Sequence, residues 1–219
     1  MKRSNINWLA TIIELFVVFL GVTAGFVLQN YNQGKSEKEL EAKYLQGFRD
    51  DVTENIASLE SQYDSDSVWL FTHHYAILQI VKDSLRSDSA ALILESMAMF
   101  SKFTAQNVTY LNVTNSGNLG LIRDYDLRQH LVKYHMELDE FNLLEEYYHD
   151  YHKKDLIPYL IRNFDIFKKV FALSSGHQQL EFQNLFASTF SFKQQRIEGY
   201  HDLIESSNTL LAELDKAIK

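Results

Sequence analysis

Apolar and polar positions follow two different rhythms along this chain. From Trp8 to Gln29 (WLATIIELFVVFLGVTAGFVLQ) the residues are apolar apart from Thr11, Glu14, Thr23 and the closing Gln29. A helix of that length spans roughly 30 Å, the depth of a bilayer's hydrocarbon core. After Asn30-Tyr31-Asn32-Gln33-Gly34 charged residues take over and a helical period begins. Leu45, Phe48, Val52, Ile56, Leu59 and Tyr63 recur every three or four residues, the mark of an amphipathic helix. Asp64-Ser65-Asp66-Ser67 interrupts that face and Leu70, Ile77 and Val81 resume it, so one long helix and two helices with a hinge both fit.

Further on, Ser87-Asp88-Ser89 is a helix-start signal ahead of Ala90–Phe103. The stretch from Thr104 to Arg123 mixes turn formers with apolar anchors, as a connection does. Asp124 is placed to cap a helix in which Leu127, Leu131, Tyr134, Leu138 and Phe141 share one face. Pro158 ends or kinks that helix a few residues upstream. A further helix is expected over Tyr159–Leu173, stopping at Ser174-Ser175-Gly176, and a last one over Gln178–Ile218. No strand alternation stands out. The expected fold is all-α: a transmembrane helix (residues 8–29) after a short tail (1–7), then a soluble bundle of long antiparallel helices (30–219).

Composition adds three constraints. One proline and eight glycines among 219 residues leave little material for turns, which favours long helices. Without cysteine there is no disulfide framework and no thiolate metal site. Beyond residue 29 the chain holds 19 basic and 28 acidic residues, a net charge of −9, which repels phosphate backbones and argues against nucleic acid as a partner.

Within the apolar segment, Thr11, Glu14, Val18, Gly21, Gly25, Gln29 and Asn32 are three or four residues apart and fall on one stripe. Gly21 and Gly25 form a G-x-x-x-G, the spacing that lets two membrane helices approach backbone to backbone. A carboxylate at the centre of a bilayer costs about 2.5–3.5 kcal/mol, so Glu14 must be protonated, bonded to a partner helix or open to water. Cleavage of this segment after Ala24 is the competing reading. The apolar run continues past that point through Phe26, Val27 and Leu28, which favours an uncleaved anchor. The short N-terminal tail before a long acidic domain favours a cytoplasmic N-terminus and an exported domain. The stripe predicts association of Glu14, Gly21, Gly25 and Gln29 with a second copy or another membrane protein. An alternative makes Glu14 part of an ion or proton path in a channel or transport assembly.

Candidate chemistry is sparse. Gly34-Lys35-Ser36 lacks the earlier glycine of a phosphate-binding loop and follows no strand. Glu146-x-x-His149 and Glu198-x-x-His201 match an element of di-iron bundles, but two matches are near chance. Helical phase puts Glu145, His149 and His152 inward together, a candidate metal face that a partly buried polar end of the bundle explains more simply. His73 and His74 are adjacent and point apart. Lys153, Lys154, Arg162, Lys168 and Lys169 make a basic stretch best read as a solvated face. Asn107-Val-Thr109 and Asn112-Val-Thr114 are N-glycosylation sequons. No metal, cofactor or catalytic residue is expected.

Taken together, Glu14, Gly21, Gln29, Asn30, Asn32 and the later Tyr110, Val113, Ser116, Gly117, Leu119, Ile122, Leu127 and Arg128 resemble a family of uncharacterised single-pass proteins of Gram-negative bacteria in the Bacteroides–flavobacterium group. Tyr31 departs from it, where the family usually has tryptophan. The resemblance implies an inner-membrane protein with a periplasmic helical domain, and it implies no activity. In that setting Asp66-Ser67-Val68, Asp83-Ser84-Leu85 and Asp88-Ser89-Ala90 are similar to an O-glycosylation pattern of exported proteins.

Overall fold

A computed structural model describes residues 8–81, 87–165, 167–168, 170–171 and 176–218. The first helix, α1, runs unbroken from Trp8 to Val81, 74 residues or roughly 110 Å. The change from apolar to charged sequence near residue 30 therefore brings no break in the backbone. No proline intervenes, a single Gly34 costs only about 1 kcal/mol, and exposed pairs such as Gln33–Glu37 at 2.9 Å bridge successive turns. Asp64–Ser67 does not break the helix either, because Asp66 points inward to a charged partner.

The remaining elements are α2 (Ser87–Ala98), α3 (Val108–Asn115), a 3-10 turn (Asn118–Leu121), α4 (Tyr125–Tyr151), a π turn (His152–Leu156), α5 (Ile157–Asn163), a two-residue-per-strand hairpin of β1 (Phe164–Asp165) and β2 (Val170–Phe171), and α6 (Gly176–Ala217). Asp124 caps α4 as expected, its carboxylate accepting from the N–H groups of Asp126 and Leu127 at 3.0 and 3.1 Å. Pro158 has no N–H for the carbonyl four residues back. The helix answers by widening into the π turn just upstream and restarting as α5 with proline in its first turn. Where a helix was expected to run to Leu173, α5 stops at Asn163 and the antiparallel hairpin follows. Asp165 closes its turn, accepting from Phe167 and Lys168 N–H. An element of two-residue strands has no room for the alternation that marks strands in sequence.

Three helices carry the core, each with a seven-residue repeat of buried positions. On α1 it passes through Leu45, Phe48, Val52, Asn55, Leu59, Asp66, Trp69 and Ala76. On α4 it runs from Leu127 through Tyr134 and Phe141 to Tyr148, and on α6 from Phe182 through Thr189, Arg196 and Leu203 to Leu214. Spacings of three and four are what helices need to pack side by side at shallow angles. The α1 repeat takes Asn55, where Ile56 was expected; Ile56 packs at the edge.

The directions follow from contacts. Asp215 of α6 meets Arg49 of α1, and Lys193 meets Asp66, so these helices are antiparallel. Ser207 and Arg196 of α6 meet Tyr134 and Glu145 of α4, so this pair is antiparallel too. Hence α1 and α4 run parallel to each other, against the expectation of an all-antiparallel bundle. The connecting chain makes this possible by retracing α1. Ser96 bonds Trp69, Ser101 bonds Gln62, Gln106 bonds Asn55, Thr109 bonds Asp51, Asn118 bonds Tyr44 and Arg123 bonds Glu41. Gly117, at φ +71°, lets the chain turn at the end of this descent, a conformation side chains resist.

Candidate functional site

The predicted association stripe lies on the part of α1 that meets no other element. Glu14, Gly21, Gly25 and Gln29 are all exposed. A methyl group built at Gly21 or Gly25 would meet nothing within 4 Å. Glu14 makes no hydrogen bond or ion pair among the described residues. Thr23, by contrast, is satisfied within the helix, its hydroxyl donating to the Phe19 carbonyl at 2.8 Å. Around the stripe large apolar side chains stand free: Leu15 is 73% exposed and Phe26 64%. Among the described residues one helix is long and apolar enough to cross a membrane, and none of its most apolar window is buried.

The bundle holds a second arrangement, which no local motif announces. Asp66 from α1, Glu145 from α4, and Lys193 and Arg196 from α6 meet between the two apolar cores, and all four are buried. Lys193 Nζ donates to Asp66 Oδ1 at 2.6 Å, and Arg196 Nη1 lies 3.1 Å from Asp66 Oδ2. Arg196 Nε donates to Glu145 Oε1 at 3.3 Å and its Nη2 to the Ser101 carbonyl at 2.8 Å. Tyr200 donates to Glu145 at 2.6 Å, and the Arg196 guanidinium stacks over Tyr148 at 4.6 Å. Two acids and two bases cancel, so the layer is neutral.

Burial pushes the Glu145 carboxyl above its ordinary range, with Arg196 and Tyr200 pulling it partly back. Burial lowers Lys193, opposed by Asp66. For Arg196 burial acts downward too, but Asp66, Tyr200 and Glu145 outweigh it and hold the guanidinium charged. Each charge has an opposite charge beside it, while Asp66 Oδ2, Glu145 Oε2 and Arg196 Nη1 are buried without a hydrogen bond, and the ion pairs tie three helices together.

The inward metal face does not assemble. Glu145 is buried as its phase requires but is taken up by Arg196 and Tyr200. His152 bonds the Ala98 carbonyl at 3.0 Å, and His149, half-buried, packs against Phe100 with ring centroids 5.3 Å apart. Among the described residues no three His, Asp or Glu side chains are placed to hold a metal. Glu146 pairs with Lys102, and Glu198 bonds Gln194. His73 and His74 do diverge, His73 stacking on Trp69 at 4.3 Å and His74 turning toward Tyr75.

The basic stretch is largely neutralised, Lys154 by Asp150, Arg162 by Glu181 and Lys168 by Asp165; Lys153 is exposed and Lys169 lies outside the described residues. Of the serine tripeptides, Asp66 is buried in the charged layer, and Asp83-Ser84-Leu85 falls outside the described residues. Val113, Ile122 and Leu127 are buried together, and Arg128 donates to the Ile122 carbonyl at 3.0 Å.

Compared with protein-family models, with curated proteins and with solved structures, the chain matches none.

Proposed function

We propose that this chain is a single-pass membrane protein that acts as a scaffold or accessory interaction subunit, and not as an enzyme. Residues 8–29 cross the membrane, and their Glu14–Gly21–Gly25–Gln29 stripe associates with another transmembrane helix. The observation that carries this reading is the stripe itself: two glycines and a carboxylate share one exposed edge, with no intramolecular neighbour to explain them. Glycines there let a second backbone approach closely, and Glu14 supplies a directional hydrogen bond in a medium that offers no water. The bundle, placed in the periplasm by this reading, then presents a surface to further partners. Its buried charges support a structural role, since each is spent on joining helices.

Crosslinking in membranes, or a membrane two-hybrid assay, tests this directly. Gly21→Ile and Glu14→Leu each abolish the association signal if the stripe pairs, and an unchanged signal in both refutes it. Glu14-dependent conductance of the purified protein in bilayers would instead favour the channel-subunit alternative.

A further inference from the structure

Tryptophan and tyrosine stand at the two ends of the apolar segment and nowhere inside it. Trp8 opens the segment and Tyr31 follows it, and both are 72% exposed. Between them the aromatic residues are Phe16, Phe19 and Phe26, whose rings carry no polar atom. No lysine or arginine lies between Arg3 and Lys35. Tyr31 also stands clear of the bundle. No residue from 31 to 44 is buried, and the first core residue, Leu45, comes roughly 21 Å further along α1.

We infer that Trp8 and Tyr31 are the two interfacial anchors of α1, each ring lying in one headgroup layer of the bilayer. The inference rests on the reading of residues 8–29 as a membrane span and adds how that span is seated. Three arguments name the headgroup layers as what the rings meet. The first is spacing. Trp8 and Tyr31 are 23 residues apart, roughly 35 Å along a helix. That exceeds a hydrocarbon core of about 30 Å and falls short of the about 40–45 Å of a bilayer with its headgroups.

The second is chemistry. An indole or a phenol has an apolar body and one polar tip, so it is most stable where hydrocarbon meets water, whereas a phenylalanine ring suits the interior. The third is continuity. Because α1 has no break between residues 8 and 31, the two rings keep their separation, and both ends are seated at once. A tilt beyond about 30° would draw one ring into hydrocarbon, so the span stands closer to upright than that. Seated this way, Glu14 lies six residues, roughly 9 Å, inside the Trp8 ring, and Gly21 lies close to the midplane. A helix that pairs with this edge therefore needs its hydrogen-bonding group in the N-terminal half of the bilayer.

Fluorescence quenching tests the seating in the full-length chain. The only other tryptophan, Trp69, is buried in the bundle roughly 57 Å of helix beyond Tyr31, out of reach of quenchers carried by lipid. The protein is reconstituted into phosphatidylcholine vesicles whose acyl chains carry bromine either near the carbonyl end or near the methyl end. The parent, and Tyr31→Trp in a Trp8→Phe background, should each be quenched roughly two-fold more by the shallow bromines. Phe19→Trp in the same background should show the reverse order, and Trp8→Phe alone should not be quenched. Equal or stronger quenching by the deep bromines at position 8 or 31, with position 19 still deep, overturns the inference and leaves the span standing. Quenching of Trp8→Phe itself would put Trp69 at the bilayer and also overturn the seating. If position 19 is quenched by neither lipid, or more by the shallow one, the segment does not cross the bilayer, and the membrane reading falls together with the inference.

Discussion

Residues 12–33 and residues 45–76 belong to one helix, yet they treat hydrophobicity in opposite ways. In the first region every side chain is exposed and most are apolar. In the second, apolar residues turn inward every three or four positions, and the polar ones that join them, Asn55 and Asp66, each find a partner. The lesson is that apolar content alone does not build a core. Phase does, because a helix docks on its neighbours only through positions that recur with the turn. The N-terminal region carries apolar side chains on nearly every side and turns none of them onto the bundle.

Charge removal should separate the regions most sharply. Asp66→Leu strands Lys193 and Arg196 in the interior and should destabilise the bundle by about 3–5 kcal/mol in thermal or denaturant unfolding. Glu14→Leu, at the other end of the helix, should change it by less than about 0.5 kcal/mol, because nothing in the bundle touches it. Equal effects would mean that the two regions are not energetically distinct.

Acid should act on the bundle alone. His135, buried and stacked on Tyr110 at 3.8 Å, is lowered to about 4, chiefly by burial and against a small opposing pull from Asp51. The unfolded chain takes up that proton at about 6.5. Its stabilising effect is therefore complete above about pH 6.5 and is lost as the pH falls through 4, on the order of 3 kcal/mol in all. His135→Phe keeps the ring and removes the titration, so its melting temperature should fall less between pH 7 and pH 4.5 than that of the parent.

Asn55→Leu should cost about 1–3 kcal/mol, since the Gln106 N–H then loses the acceptor it meets at 2.7 Å. The smallest contrast concerns glycines. A methyl at Gly199 of α6 would run into the Phe141 ring, so Gly199→Ala should destabilise by about 1–3 kcal/mol. Gly21→Ala meets open space within one chain and should leave unfolding unchanged.

Much of this fold was legible because helical phase is a local property. The face of α4 from Leu127 to Phe141, its Asp124 cap and the interruption before Pro158 all follow from residues a few positions apart. The hairpin at Phe164–Phe171 was not legible, being too short to carry a period. The charged layer escaped for the opposite reason. Asp66, Glu145, Lys193 and Arg196 are spread over 130 residues, and each alone reads as an ordinary surface charge. One signal was present: once α6 is phased on Phe182 and Leu214, Lys193 and Arg196 fall on its inward seam. Glu14, Gly21, Gly25 and Gln29 are exposed on α1, and the choice between one long helix and two with a hinge was settled only by the unbroken backbone across Asp64–Ser67.

That lack of a joint makes α1 a lever. About 52 residues, roughly 80 Å of helix, extend past Gln29 with no flexible linker. A 20° change in the tilt of the apolar segment would sweep the distal end sideways by roughly 27 Å. Rotation or sliding of that segment would reach the bundle undiminished, so whatever grips one end of α1 is felt at the other.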